Sequence, residues 1–116
     1  MTQSSFVRPL RSKSLPIPTF KSITLLDPDE IIYVQAMQNY SMLYTQDGSR
    51  ILSSLSFGKM LEQLDFYGFY QCHKSYAIKV NRVVRYLKNG MAELTGDILV
   101  PIARRRRKDF KNLIMA

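Results

Sequence analysis

Two stretches hold the side chains with the most chemistry in them. The first runs from Phe69 to Arg82, FYQCHKSYAIKVNR, and contains the only cysteine, Cys72, and the only histidine, His73. A thiol beside an imidazole can form a nucleophilic pair, and both groups can bind a metal. The local periodicity forbids the pair. Phe69, Gln71 and His73 alternate with Tyr70, Cys72 and Lys74, which is strand spacing, so Cys72 and His73 point to opposite faces. No second histidine stands at metal-ligand spacing, the nine carboxylates are scattered, and no glycine-rich phosphate loop occurs. The sequence therefore reads as a non-enzyme without a cofactor or metal. Cys72 reads as a small buried apolar residue. His73 is either a hydrogen-bonded structural histidine or a nucleic-acid contact. The alternation breaks at Ser75-Tyr76-Ala77, where a tight turn or one helical turn is expected. Lys74, Ser75, Asn81 and Arg82 crowd this bend, and bends between rigid strands commonly carry binding residues.

The second stretch is Arg104-Arg105-Arg106-Arg107-Lys108. If the tail is a helix, Ala103, Phe110, Leu113 and Ile114 form one stripe and Arg104, Arg105 and Lys108 fall on the outer face. Cations in the first turns oppose the helix dipole at about 0.3–1 kcal/mol each. The run is either a solvated face or a place for phosphate or guanine, and arginine suits bidentate recognition. A third candidate is Asn39-Tyr40-Ser41. Asparagine there can read adenine or can simply make a turn.

The elements that must hold these groups are short. Leu15-Pro16-Ile17-Pro18 is extended by its prolines and suits an edge strand. Lys21 to Leu26 reads as a second strand, with Asp27 capping a turn that Pro28 starts. Ile31 to Met37 and Ser41 to Thr45 read as strands around a polar Gln38-Asn39-Tyr40 interruption. Arg50 to Ser53 pairs back across Gln46-Asp47-Gly48-Ser49. Ser56 caps the clearest helix, with Phe57, Met60, Leu61 and Leu64 at helical spacing. Val83 to Lys88 and Met91 to Thr95 flank Asn89-Gly90, a strong hairpin signal, and Ile98 to Ile102 is a last strand. This predicts a mainly β fold: a sandwich of short antiparallel strands with a short helix and a C-terminal helical tail.

Composition narrows the partner. The chain has 116 residues, enough for one domain, and a net charge of +8. Six of its 17 basic residues lie between Arg104 and Lys111. That imbalance points to a polyanion, nucleic acid first and an anionic membrane surface second. No apolar run approaches a membrane span, and Met1 to Ser14 is unlike a signal peptide. One cysteine suits a reducing cytoplasm. Residues 1–14 read as a linker or flexible arm and residues 15–116 as the folded domain.

The order of these pieces resembles the LytTR family of DNA-binding domains. The match rests on Cys72-His73-Lys74-Ser75-Tyr76 followed by apolar-Val-Asn, on Asp29 to Ala36, on Asn39-Tyr40, on Leu55 to Leu64 and on Val100-Pro101-Ile102-Ala103-Arg104-Arg105. The resemblance implies an elongated β-sandwich that binds double-stranded DNA sequence-specifically and regulates transcription. In that family loops enter successive major grooves. The implied base contacts map to the Asn39-Tyr40-Ser41 loop, Lys74 and Arg104. The neighbouring candidates are His73, Ser75, Asn81, Arg82, Arg105, Arg107 and Lys108. Lys74 can contact guanine, a phosphate or only solvent. Ala103 stands where the family commonly has serine, removing one hydroxyl. Response regulators of the family carry a receiver domain, and 116 residues leave no room for one. The expectation is an excised C-terminal half of a regulator or a stand-alone LytTR protein. It should be a monomer when free and pair on DNA with repeated half-sites. The runner-up is a basic RNA-binding or membrane-surface module.

Overall fold

Proline decides how the described chain begins. The computed structural model describes residues 14–116, so the expected arm at residues 1–14 lies outside it except for Ser14. Strand β1 (Leu15–Pro18) pairs only with β2 (Ile23–Leu26), as two residues lacking an N–H require. Leu15, Ile17 and Leu26 point inward. Asp27 then caps the 3-10 turn Pro28–Glu30 with a full capping box: its side chain accepts from Asp29 N, and Glu30 Oε1 accepts from Asp27 N.

The central sheet has five antiparallel strands in the order β5-β4-β3-β7-β6. They are β3 (Ile31–Met37), β4 (Tyr40–Thr45), β5 (Arg50–Ser53), β6 (Phe69–His73) and β7 (Tyr76–Lys79). Three further strands, β8 (Val83–Tyr86), β9 (Met91–Leu94) and β10 (Ile98–Pro101), make a second sheet in the order β10-β9-β8. The Asn89-Gly90 signal is realised as its first turn, with Gly90 at φ 87. The strands there stop at Tyr86 and Leu94, because residues 87–90 and 95–97 belong to turns.

Both faces of the central sheet are covered. On one face, Ile31, Val34 and Leu43 meet the β1–β2 hairpin and α1 (Phe57–Gln63). On the other, Ile32, Cys72 and Ile78 meet Ala92, Leu94, Val100 and Ile102 of the second sheet region and Phe110 of α2 (Arg107–Met115). Each fully buried Ile, Leu or Phe contributes about 1.5–3 kcal/mol, so two small cores suffice to hold β3 between them. The molecule measures 53 × 29 × 23 Å, the elongated β-sandwich that the sequence implied.

Both helices depart from their expected phase. In α1 the inward stripe is Phe57, Met60 and Leu64, while Leu61 sits half-buried at its flank. In the tail, a 3-10 turn (Arg104–Arg106) precedes α2, so Ala103 lies outside the helix. Phe110 is fully buried between Tyr70 and Tyr86, with ring centroids 6.0 and 5.2 Å away. Ile114 packs beside it, but Leu113 faces largely outward.

Candidate nucleic-acid interface

Antiparallel pairing brings two turns to one end of the central sheet. The β3–β4 turn is Gln38-Asn39, with Gln38 left-handed at φ 57. The β6–β7 turn is Lys74-Ser75. Gln35 pairs with Tyr76, and Ala36 N–H donates to Ser75 O at 2.8 Å, so the two turns lie side by side. Ala103 N–H donates to Cys72 O at 2.8 Å, which lays Arg104 beside the end of β6. Three segments far apart in sequence therefore meet at one end.

Within that end the side chains divide. Lys74, Asn39, Arg104, Arg105 and Lys108 are exposed. His73 Nδ1 accepts from Ser75 N–H at 3.1 Å, and its ring stands edge-on to Tyr76 at 5.5 Å. That bond closes the turn that carries Lys74. Ser75 is half-buried in the same turn. Tyr40 is half-exposed and edge-on to Phe20 at 5.0 Å. The turn is supported from beneath: Tyr44 OH donates to Gln35 Oε1 at 2.8 Å, and Gln35 Nε2 donates to Tyr76 OH at 3.2 Å. Tyr33 stacks on Tyr44 at 4.2 Å, and burial, reinforced by Tyr44, pushes its phenol up to about 12.

Four expected site residues are placed differently: Ser41 and Arg107 are turned back on the protein, and Asn81 and Arg82 lie elsewhere. Ser41 is fully buried, and its Oγ donates to Leu55 O at 2.9 Å. β4 starts one residue earlier than the polar run suggested, and alternation turns Ser41 inward with Leu43. Asn81 and Arg82 lie past the far end of β7, at the opposite end of the sheet from Lys74. Arg82 Nη2 donates to Asp29 O at 2.6 Å and to Gln46 Oε1 at 2.7 Å, tying the entry of β3 to the β4–β5 turn. Arg107 turns back, with Nε donating to Ile102 O at 3.2 Å and its guanidinium against Gly90. Its neighbour Arg106 is half-buried beside Tyr70, whose phenol burial pushes up.

Sequence reasoning also missed Lys79. It is 4% exposed, donates from Nζ to Tyr67 O at 2.5 Å and sits 3.4 Å from Asp29 Oδ1. The signal available was parity: Lys79 follows Ala77 on the buried side of β7. Cys72 is as expected, a buried thiol whose Sγ is 3.7 Å from Tyr76 O and 3.6 Å from Pro101 O. Burial pushes it up to about 12, the reverse of what an attacking thiolate requires.

Against known proteins, a family description reading "LytTr DNA-binding domain" matches residues 21–115. Among solved structures, the chain is similar to the LytTr DNA-binding domain of a methyl-accepting/DNA response regulator from Bacillus cereus. The TM-score is 0.72 at 14% identity, covering 90% of this chain and 98% of that one, so the fold is shared. No curated protein sequence matches. Among the described residues no helix is long and apolar enough to cross a membrane.

Proposed function

Since the chain belongs to the LytTR family of DNA-binding domains, we propose that it reads double-stranded DNA sequence-specifically with the end of its central sheet and thereby regulates transcription. One observation carries the reading. Two backbone hydrogen bonds, Ala36 N–H to Ser75 O and Ala103 N–H to Cys72 O, gather the Asn39, Lys74 and Arg104 segments at one place. Rigid strands hold short turns there, which is what base reading needs, since a misplaced donor loses its discrimination. Arg104 follows the buried Ile102 and the hydrogen-bonded Ala103 just past β10, so its backbone is fixed; Arg105 and Lys108 lie further along and face solvent. In this reading Arg104, Lys74 and Asn39 address base edges, while Arg105 and Lys108 address phosphates.

The domain acts in the cytoplasm as the output module of a two-component response regulator or as a stand-alone regulator. It is a monomer when free and pairs on repeated half-sites, which sedimentation at micromolar concentration with and without such DNA tests. The deciding experiment is selection from a random duplex library. Enrichment of a repeated motif is expected, with Arg104→Ala losing about 1–3 kcal/mol on the selected site and flattening one base position. Flat enrichment alongside good RNA binding overturns the reading.

A further inference from the structure

We propose that the tip of the β1–β2 hairpin, Phe20 and Lys21, is a fourth DNA contact, gripping the backbone that flanks the half-site. Lys21 would pair with a phosphate and Phe20 would pack on a deoxyribose. The inference rests on the DNA reading above and extends it to a segment to which that reading gives no role.

The tip is built rigidly. Thr19 N–H donates to Ser22 O at 2.8 Å. Thr19 Oγ1 donates to the same carbonyl at 3.1 Å and accepts from Ser22 N at 3.0 Å and Lys21 N at 3.3 Å. The hairpin is also anchored at its shoulder. Pro18 O accepts from Ser53 Oγ at 2.8 Å and from Ser54 N at 3.0 Å, beside the end of β5. A backbone so restrained fixes where its side chains stand before any ligand arrives, which lowers the cost of binding.

Phe20 faces the interface end, and Lys21 beside it is exposed. Phe20 is 63% exposed, yet its ring is edge-on to Tyr40, the residue after Asn39. Single exposed apolar residues are ordinary. Here Phe20, Tyr40 and Met37 are all exposed around one turn, and Lys21 adds an exposed cation. The tip, Thr19 to Ser22, carries no carboxylate. An apolar ring beside a cation, without opposing charge, matches a polymer of apolar sugars and charged phosphates.

The sheet order sets where on the DNA this contact falls. From the β5 side to the β6 side, the segments run Lys21, Asn39, Lys74 and Arg104. The hairpin tip therefore lies at the flank farthest from Arg104 and reaches outside the base pairs that the central turns address.

The test uses the whole chain and two duplexes, the selected site with long flanks and the same site trimmed to its core. Lys21→Ala should lower the log–log salt slope on the long duplex by roughly 0.9, which is about 8-fold in affinity at 0.1 M against 1 M salt. It should not weaken binding to the trimmed duplex. The chain contains no tryptophan, so Phe20→Trp supplies a unique probe whose emission should change with the long duplex only. Both positions are exposed, and unchanged thermal melts will show that the variants fold. Suppose instead that Lys21→Ala keeps the parental slope and the Phe20→Trp emission ignores the long duplex, while Lys74→Ala binds poorly. The hairpin contact is then wrong and the DNA reading stands. If the parent chain binds no duplex, both fail together.

Discussion

Replacing Arg107 and Arg105 by alanine, one at a time, separates two kinds of arginine within one basic run. Arg107 opens α2, where a cation opposes the dipole at about 0.3–1 kcal/mol. Its side chain recovers this by turning back, with Nε donating to Ile102 O at 3.2 Å and the guanidinium lying against Gly90. A hydrogen bond from a charged group contributes about 1.5–3 kcal/mol, and a long, half-exposed one falls at the low end. Subtracting the relieved dipole penalty from that low end leaves about 0.5–1.2 kcal/mol lost in Arg107→Ala. For a domain of this size that lowers Tm by about 2–7 °C. Arg105 is exposed, so Arg105→Ala should change stability by less than about 0.5 kcal/mol. DNA binding should show the opposite order. Arg105→Ala loses roughly 0.9 of the salt slope, and Arg107→Ala keeps the parental slope among folded molecules. Gly90→Ala gives an independent check on the brace. A Cβ there collides with the Arg107 guanidinium, and the φ of 87 costs an L side chain about 1–2 kcal/mol. Thermal melts followed by circular dichroism and salt titrations of duplex affinity read both quantities. An Arg107→Ala chain that melts like the parent but loses salt slope would mean that Arg107 is a free cation in solution, and the brace would be refuted.

Two further outcomes test the cores. Met60→Ala, fully buried under the β1–β2 hairpin, should cost about 2–5 kcal/mol in urea unfolding, whereas Leu61→Ala should cost less than about 2; the reverse order would put the wrong face of α1 inward. Cys72 should resist thiol reagents at pH 8 until the chain unfolds, because its thiol is held up at about 12. The sign of the linkage follows: its folded value is raised above the ordinary 9.0, so that stability is present below pH 9 and lost as pH rises toward about 12. Tyr33, also raised to about 12, adds to the loss above pH 10, and stability that stays flat from pH 8 to 11 would contradict both.

Much of the fold was legible because local chemistry dictated it. Pro16 and Pro18 confine β1 to an edge, Asp27-Pro28 makes a capped turn, Ser56 starts α1, and Asn89-Gly90 turns β8 into β9. Placement was legible where a residue sits in its own turn or directly after a strand, as with the exposed Asn39, Lys74 and Arg104. It was not legible where the role depends on a distant partner. Arg82 finds its acceptors at Asp29 and Gln46, 53 and 36 residues away. Arg107 looks like its neighbours in the sequence, and only the path of the β8–β9 turn brings Gly90 against it. Ser41 was misplaced for a different reason. β4 buries hydroxyl residues, Ser41 and Thr45, on the same side as Leu43, so polarity alone gave the wrong face.

The fold thus sorts its cations, and the sorting bounds the DNA footprint. Lys79 and Arg82 donate to the Tyr67 and Asp29 carbonyls, away from the interface end, and Arg107 turns back to Ile102 O. Arg106 is half-buried against Tyr70. Among the described residues, Lys74, Arg104, Arg105 and Lys108 are exposed at that end, with Lys21 on the flank. At roughly 0.9 per neutralised phosphate, four contacts give a log–log salt slope of about −3.6, and Lys21 makes it about −4.5. If all 17 basic residues took part the slope would approach −15. A salt titration of duplex affinity between these limits reads the number of working cations directly. A slope steeper than about −7 would mean that cations beyond these five meet phosphate. One shallower than about −2 would leave most of the exposed end off the DNA. Either value would refute the five-cation footprint.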